Sequence, residues 1–307
     1  MPKMVLVSII LCTRNRAAKL RRTLQSIQAL EQPRDADYEL IVVDNGSTDE
    51  TADVCASLEP ELGGRLRRIF VEEPGKSRAA NAGFEVARGE IIAFLDDDVL
   101  PQRDWLAVVC REFSAAPTLG AISGRVELFN PADLPTSIRR QTERIEFQSV
   151  DDAFNLFTGC NVAVRRGLIE RLGLFDPALG PGSRVGIAED SDFFYRAWKA
   201  GGKLVYVPSL FVHHDHGRRT ENDKVKLARG YIMGRGAFYA KHILRGDLTV
   251  ARAMYWEIGG ALRALRQGRH DLGWKHIGWL LQGFLHYPIH RTLAAARNLF
   301  RKPARES

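Results

Sequence analysis

The sequence predicts an α/β protein: a mostly parallel central sheet with helices on both faces, followed by a helical C-terminal extension beginning near residue 218. Three observations predict it. Short β-branched runs alternate with amphipathic stretches through the first hundred residues, which calls for right-handed crossovers and parallel strands. Each run ends in polar residues, so the strand ends converge on one edge, where open α/β sheets bind ligands. Beyond residue 217 the strand-like runs cease and basic segments rich in aliphatic and aromatic residues follow.

At 307 residues the chain is long enough for one large domain with an appendage, and its 45% hydrophobic content is ordinary for a globular protein. The net charge is +7, with much of the excess beyond residue 215, which points to an anionic partner there. Cys12, Cys55, Cys110 and Cys160 lack paired metal-ligand spacing and read as reduced core residues of a cytosolic protein. No secretory pattern and no bilayer-length apolar run is present, so the expected location is the cytoplasm.

The first strand spans Val5 to Cys12, and the loop Thr13 to Arg16 leads into a helix through Leu20, Leu24, Ile27 and Leu30 with Asn15 as its expected cap. Arg14 and Arg16 read either as surface charge or as phosphate contacts. The second strand, Glu39 to Val43, is closed by Asp44, a loop acceptor or a reader of nucleoside hydroxyl and N–H groups. Ser47 or Thr48 is expected to cap the next helix, with Asp49 and Glu50 in its first turn. A third strand runs from Leu66 to Val71, and small residues after Gly75 allow close helix packing while Arg78 and Asn81 are placed toward a ligand.

The fourth strand ends in Asp96, Asp97 and Asp98. Three adjacent carboxylates cannot be buried without partners, so a cation or a solvated surface must meet them. Strand alternation would put Asp96 and Asp98 on one side, a pair suited to Mg²⁺ or Mn²⁺. A helix is expected from Pro101 through Phe113 and another strand from Leu119 to Val126, while the polar segment from Asn130 to Asp152 is periodically ambiguous, compatible with a helix and mobile loop over a substrate site, and singles out no residue. Gly159 and Asn161 read as a ligand-facing turn or as a plain bulged strand. The glycine-rich stretch 180–186 is expected to be a flexible lid, and Asp190 to cap a helix or serve as a general base. His213, His214 and His216 read as exposed histidines or as a source of a ligand for the same metal as the triplet, without the spacing of a zinc site of their own. No Gly-x-Gly-x-x-Gly follows the first strand and no P-loop motif occurs, which disfavours dehydrogenases and P-loop NTPases.

In order, VSIILCTRNR, ELIVVDNGSTDET, NAGFEVARGEIIAFLDDDVLP, TGCNVAVRR, GLFDPALG and AEDSDFFYRAWKAGGKLVYVPS with the histidines after it resemble the inverting glycosyltransferases of family 2, which have the GT-A fold. The resemblance covers residues 4 to about 216. It implies a catalytic domain over 1–217, with a nucleotide-binding half to about residue 100 and an acceptor-binding half from 101, and leaves 218–307 as the extension. It places Thr13, Arg14, Asn15, Asp44, Arg78, Asp96 and Asp97 on the nucleotide, with Asp44 at the base and Asp96 toward the ribose or diphosphate. Asp98 would coordinate Mg²⁺ or Mn²⁺, joined by His214, with His216 as a second candidate. Gly159, Asn161 and Glu189 would border the acceptor and sugar pocket.

By the same resemblance Asp190 deprotonates the acceptor hydroxyl for a single inverting displacement on a nucleotide-diphospho-sugar, a UDP-sugar by default with dTDP and GDP open. The acceptor would be a sugar, a lipid-linked or a small molecule, in glycan, glycolipid or cell-surface polysaccharide synthesis. No Gln-x-x-Arg-Trp motif is present, which favours transfer of one sugar. A sugar-1-phosphate nucleotidylyltransferase is the alternative, and a non-catalytic sugar-nucleotide or polysaccharide-binding protein a third reading. The basic aromatic tail fits an anionic membrane surface, hence a peripheral location on the inner face, or a homodimer interface; no motif supports nucleic-acid binding.

Overall fold

A computed structural model describes residues 4–268 and 270–300. The chain divides into two compact units, one comprising Met1–Phe175 with Asp190–Lys224, the other Asp176–Glu189 with Val225–Ser307.

The first unit opens with four strands, β1 (Val5–Thr13), β2 (Ala36–Asp44), β3 (Leu66–Phe70) and β4 (Ile91–Asp96), joined by α1 (Ala17–Gln28), α2 (Thr51–Leu58) and α3 (Lys76–Val86). It continues through β5 (Val99–Pro101), α4 (Trp105–Ala115), β6 (Leu119–Leu128), β7 (Ile145–Glu146), α5 (Asp152–Asn155), β8 (Asn161–Arg165), α6 (Arg166–Leu172), α7 (Glu189–Lys199) and β9 (Lys203–His214). One nine-stranded sheet has the order β3-β2-β1-β4-β8-β6-β9-β5, with β7 on β9. The pairs β2–β3, β1–β2 and β1–β4 are parallel, as is β6–β9, whereas β8 runs antiparallel between β4 and β6. Buried runs such as Leu40 to Val43 and Ile91 to Leu95 carry the core between sheet and helices, as strands covered on both faces require.

Register sets the edge at which the polar strand ends meet. Thr13 lies opposite Asp44, and Cys12 opposite Asp96, so three strands end together. The antiparallel pairing then brings the start of β8 to the same edge, Asn161 facing Leu95, and the end of β9 there as well, His214 facing Val99 of β5.

Several local expectations are corrected. Pro101 closes β5, and α4 begins at Trp105. Asn15 does not cap α1; it adopts a left-handed φ of 52° and its Oδ1 accepts from the Thr48 amide at 2.7 Å. Asp49 caps instead, accepting from Ala17 N of α1 at 3.0 Å and from the Thr51 amide and hydroxyl at the start of α2. Residues 130–152 form no long helix, only β7 and the entry to the short α5.

The second unit is helical. It holds residues 176–189 and most of α8 (Glu221–Ile243), α9 (Leu248–Arg266) and α10 (His270–Phe300). The glycine-rich stretch 180–186 is no free lid: Val185 is fully buried with Leu179, Ala237 and Ala240. Gly186 has φ +105°, and a Cβ there would stand 2.2 Å from the Gly234 nitrogen, so glycine serves close approach to α8. Lys241 is buried and donates to Asp176 at 2.8 Å. No described helix is long and apolar enough to cross a membrane.

Candidate active site

The apolar run of β4 ends at Asp96, and Asp97 and Asp98 form the turn into β5. The strand alternation expected through Asp98 therefore stops one residue into the triplet. The turn still separates the acids: Asp96, Asp98 and His214 each offer a ligand atom, all within 4.8 Å of one another. Asp98 and His214 are buried, and Asp96 is partly open.

Backbone pins hold this group. The Asp97 carbonyl accepts from the Thr23 hydroxyl at 2.9 Å, and the Asp98 carbonyl accepts from the Asp215 amide at 2.8 Å, so the segment just past His214 is tied to the triplet. Lys19 and Arg22 of α1 hold Asp215 from the other side.

Asp97 turns away from the cluster. It accepts from Thr13 Oγ1 at 2.7 Å and from Arg16 at 2.6 Å, and Arg16 also lies 3.0 Å from Asp98. Burial, reinforced by Asp98 and Asp96 against the pull of Arg16 and Thr13, pushes the Asp97 carboxyl above its ordinary range. Asp98 goes the other way. Burial alone would raise it, but His214, Arg16 and Lys19 hold it well below the usual carboxylate value. Its Oδ1 lies 3.2 Å from His214 Nε2 and has no hydrogen-bond partner although buried. An orphaned carboxylate oxygen beside a second acid and an imidazole fits a divalent cation.

At the end of β2, Asp44 is buried, with one oxygen on Arg68 at 2.7 Å and the other accepting the Ser47 amide at 2.9 Å. Thr13 is buried and its hydroxyl is committed to Asp97. Arg14 is exposed. Arg78 also points outward, to Glu73 at 3.2 Å, and the cation beside Asp96 is Lys76. Asn81 makes paired hydrogen bonds with the Phe175 backbone, so its expected ligand role is lost to packing.

Three further placements differ from expectation. His216 lies outside the carboxylate cluster: its Nδ1 accepts from the Arg218 amide at 3.0 Å and stands 3.7 Å from buried Asp133. Asn161 is wholly buried, accepting from Trp105 Nε1 at 2.9 Å and donating to the carbonyls of Arg125 and Leu210 at 3.0 and 2.8 Å. Both its donors and one of its acceptor lone pairs are used inside the fold, and the side chain has no exposed surface, so it does not face an acceptor. Glu189 opens α7 but groups with the second unit.

Asp190, by contrast, is half-buried and sits at the sheet edge where β4 ends and β8 begins. Its Oδ2 accepts the Gly159 amide at 2.9 Å, its Oδ1 the Ser191 amide at 2.7 Å. Gly159 precedes β8, whose start adjoins the end of β4, so the turn that fixes Asp190 lies beside the triplet. Arg16, read from the sequence as surface charge or a phosphate contact, instead pairs with Asp97 and Asp98. No local signal separates it from Arg14; the left-handed turn at Asn15 does so, sending one outward and the other onto the acids.

The model for "Glycosyl transferase family 2" matches residues 8–173, and that for "Glycosyl transferase family group 2" matches 91–299, reaching into the helical extension. The succinoglycan biosynthesis protein ExoM of Rhizobium meliloti is 30% identical over 67% of this chain and 66% of its own. The probable glycosyltransferase YdaM of Bacillus subtilis is 27% identical over 66% of this chain and 49% of its own, so the match spans only about half of that relative. Among solved structures, the mannosyltransferase PcManGT of Pyrobaculum calidifontis, in complex with GDP-Man and Mn²⁺, superposes with a TM-score of 0.59 at 22% identity, covering 94% of this chain and 89% of that one. That likeness establishes the shared GT-A architecture, and the family match over more than half the chain settles membership: this chain belongs to glycosyl transferase family 2.

Proposed function

We propose that the protein transfers a single sugar from a nucleotide-diphospho-sugar, a UDP-sugar by preference, to an acceptor hydroxyl with inversion, using a divalent cation. The observation that carries this reading is the convergence of Asp96, Asp98 and His214 at the edge where Asp190 is also held. Asp96, Asp98 and His214 would hold the ion, and an imidazole among the ligands suits Mn²⁺ better than Mg²⁺. When bound, such an ion neutralises the charge that develops on a departing nucleoside diphosphate.

Asp190 takes the proton from the acceptor hydroxyl. The Gly159 and Ser191 amides each hold one of its oxygens, which fixes the carboxylate plane. Asp44 at the end of β2 and Arg68 of β3 offer a carboxylate and a guanidinium for the nucleotide's polar groups. Residues 1–217 constitute the catalytic domain in this reading, and the acceptor belongs to glycan, glycolipid or cell-surface polysaccharide synthesis. The similarity to ExoM, a succinoglycan biosynthesis protein, supports that class.

The test is a panel of UDP-, dTDP- and GDP-sugars with Mn²⁺, read as metal-dependent hydrolysis and, for the best donor, as transfer with product anomer assigned by NMR. Inverted product from a UDP-sugar is expected. Retained configuration, or turnover undiminished by chelator, would refute the mechanism.

A further inference from the structure

We propose that the exposed face of α9 docks on an anionic phospholipid bilayer. Along α9, Leu248, Arg252, Tyr255, Leu262, Arg263 and Arg266 recur at helical spacing and share one side, all exposed. Leu248 is 82% exposed and Tyr255 69%, with Trp256 beside them at 55%. Aromatic and leucine side chains left in water at these levels are what an interfacial helix inserts, and arginines on the same side reach phosphates.

The acid of this helix is turned the other way. Glu257, the one carboxylate of α9, accepts from Tyr239 and lies 2.8 Å from His276 Nε2 within the helical unit. The outward face of α9 therefore carries positive charge only. In α10, Trp274, Leu281, Leu285 and Ile289 are exposed at helical spacing as well, with no exposed carboxylate among the described side chains. From residue 218 onward the sequence has 18 Lys and Arg against 6 Asp and Glu, a formal +12, whereas the preceding part carries −5.

Charge decides the occupant. A second copy meeting this face about a twofold axis would set arginines against arginines, whereas lipid phosphates neutralise them. Because no described helix can span a bilayer, the contact lies on the surface.

The test is co-sedimentation of the full chain with phosphatidylcholine vesicles and with vesicles containing about 30% phosphatidylglycerol, where low salt favours and ~0.5 M salt weakens the electrostatic part. Binding is expected only with phosphatidylglycerol. Combined Arg252→Gln, Arg263→Gln and Arg266→Gln should lower partitioning about 100-fold. Tyr255→Ser with Trp256→Ser should lower it at low salt too, and circular dichroism melting checks that both variants fold. Absent binding, equal binding to both vesicle types, or unchanged binding by both variants would overturn the proposal. So would a dimer that Trp256→Ser dissolves without any vesicle binding. The readout is sedimentation, so its failure leaves the transfer reaction untouched.

Discussion

Arg16 is the side chain on which the acid cluster depends electrically. It pairs with Asp97 and Asp98 together, and the nearby carboxylates raise its own pKa above normal despite the opposing effect of burial. Asp97 is thereby a partner for Arg16 and Thr13, which leaves Asp96 and Asp98 grouped with His214. Asp190 has a different setting, held by two amides rather than by a cation. Those amides serve an asparagine less well, since its nitrogen cannot accept. Asp190→Asn is therefore expected to lower kcat by about 10²–10⁴-fold, the usual worth of a positioned base. Donor affinity, measured by isothermal titration with Mn²⁺ present, should stay within a few-fold of the parent; a parallel loss of donor binding would reassign Asp190 to the donor site.

At the scale of elements, the β6–β9 pairing contains the feature that most constrains the site's floor. Register passes from Gly124 opposite Val207 to Arg125 opposite Phe211, so Pro208, Ser209 and Leu210 bulge out of the ladder. The bulge frees the Arg125 and Leu210 carbonyls, and Asn161 of β8 donates to both. Gly124 is required there, since a Cβ would stand 1.9 Å from the Leu210 carbonyl oxygen. Asn161→Ala strands those carbonyls and the Trp105 indole N–H, and should cost about 2–4 kcal/mol in urea unfolding; a change below about 0.5 kcal/mol, the range of ordinary surface substitutions, would show that water replaces the amide. Asp49 plays the matching part between helices. Its burial opposes ionisation slightly, but Thr51 and the Ala17 amide hold its carboxyl below the ordinary 3.8. A folded pKa below the unfolded one means that the stabilisation is complete above about pH 4 and is lost as pH falls through the lower value. Asp49→Asn should therefore flatten the acid limb of urea midpoints between about pH 2 and 5. Sequence periodicity made the strands and helices legible, because β-branched runs and amphipathic repeats are local. It could not reveal the bulge or the shared cap, which join segments dozens of residues apart.

Across the whole molecule, the candidate site was legible in kind but not in membership. The acid triplet and the histidines announce a cation in the sequence, yet the choice of His214 over His216 follows from the register that sets His214 opposite Val99. Likewise Arg78 and Lys76 are neighbours in sequence, and only the entry into α3 decides which meets Asp96. The consequence is thermodynamic as well as chemical. A cation that binds the folded chain and not the unfolded one stabilises it by about 2.7 kcal/mol at roughly 100 times its dissociation constant. For a unit of this size that corresponds to about 5–10 °C in Tm. Mn²⁺ should raise the thermal midpoint by that amount, and chelator should reverse it. The rise is expected to vanish in Asp98→Asn, because the orphaned buried oxygen that invites the ion is then part of a neutral amide beside His214. In His216→Gln the rise should persist, since that ring lies outside the cluster and is engaged with the Arg218 amide. Scanning calorimetry on the three proteins separates the assignments: a rise retained by Asp98→Asn removes the carboxylate cluster as the site, and a rise lost in His216→Gln alone moves the ligand to the second histidine.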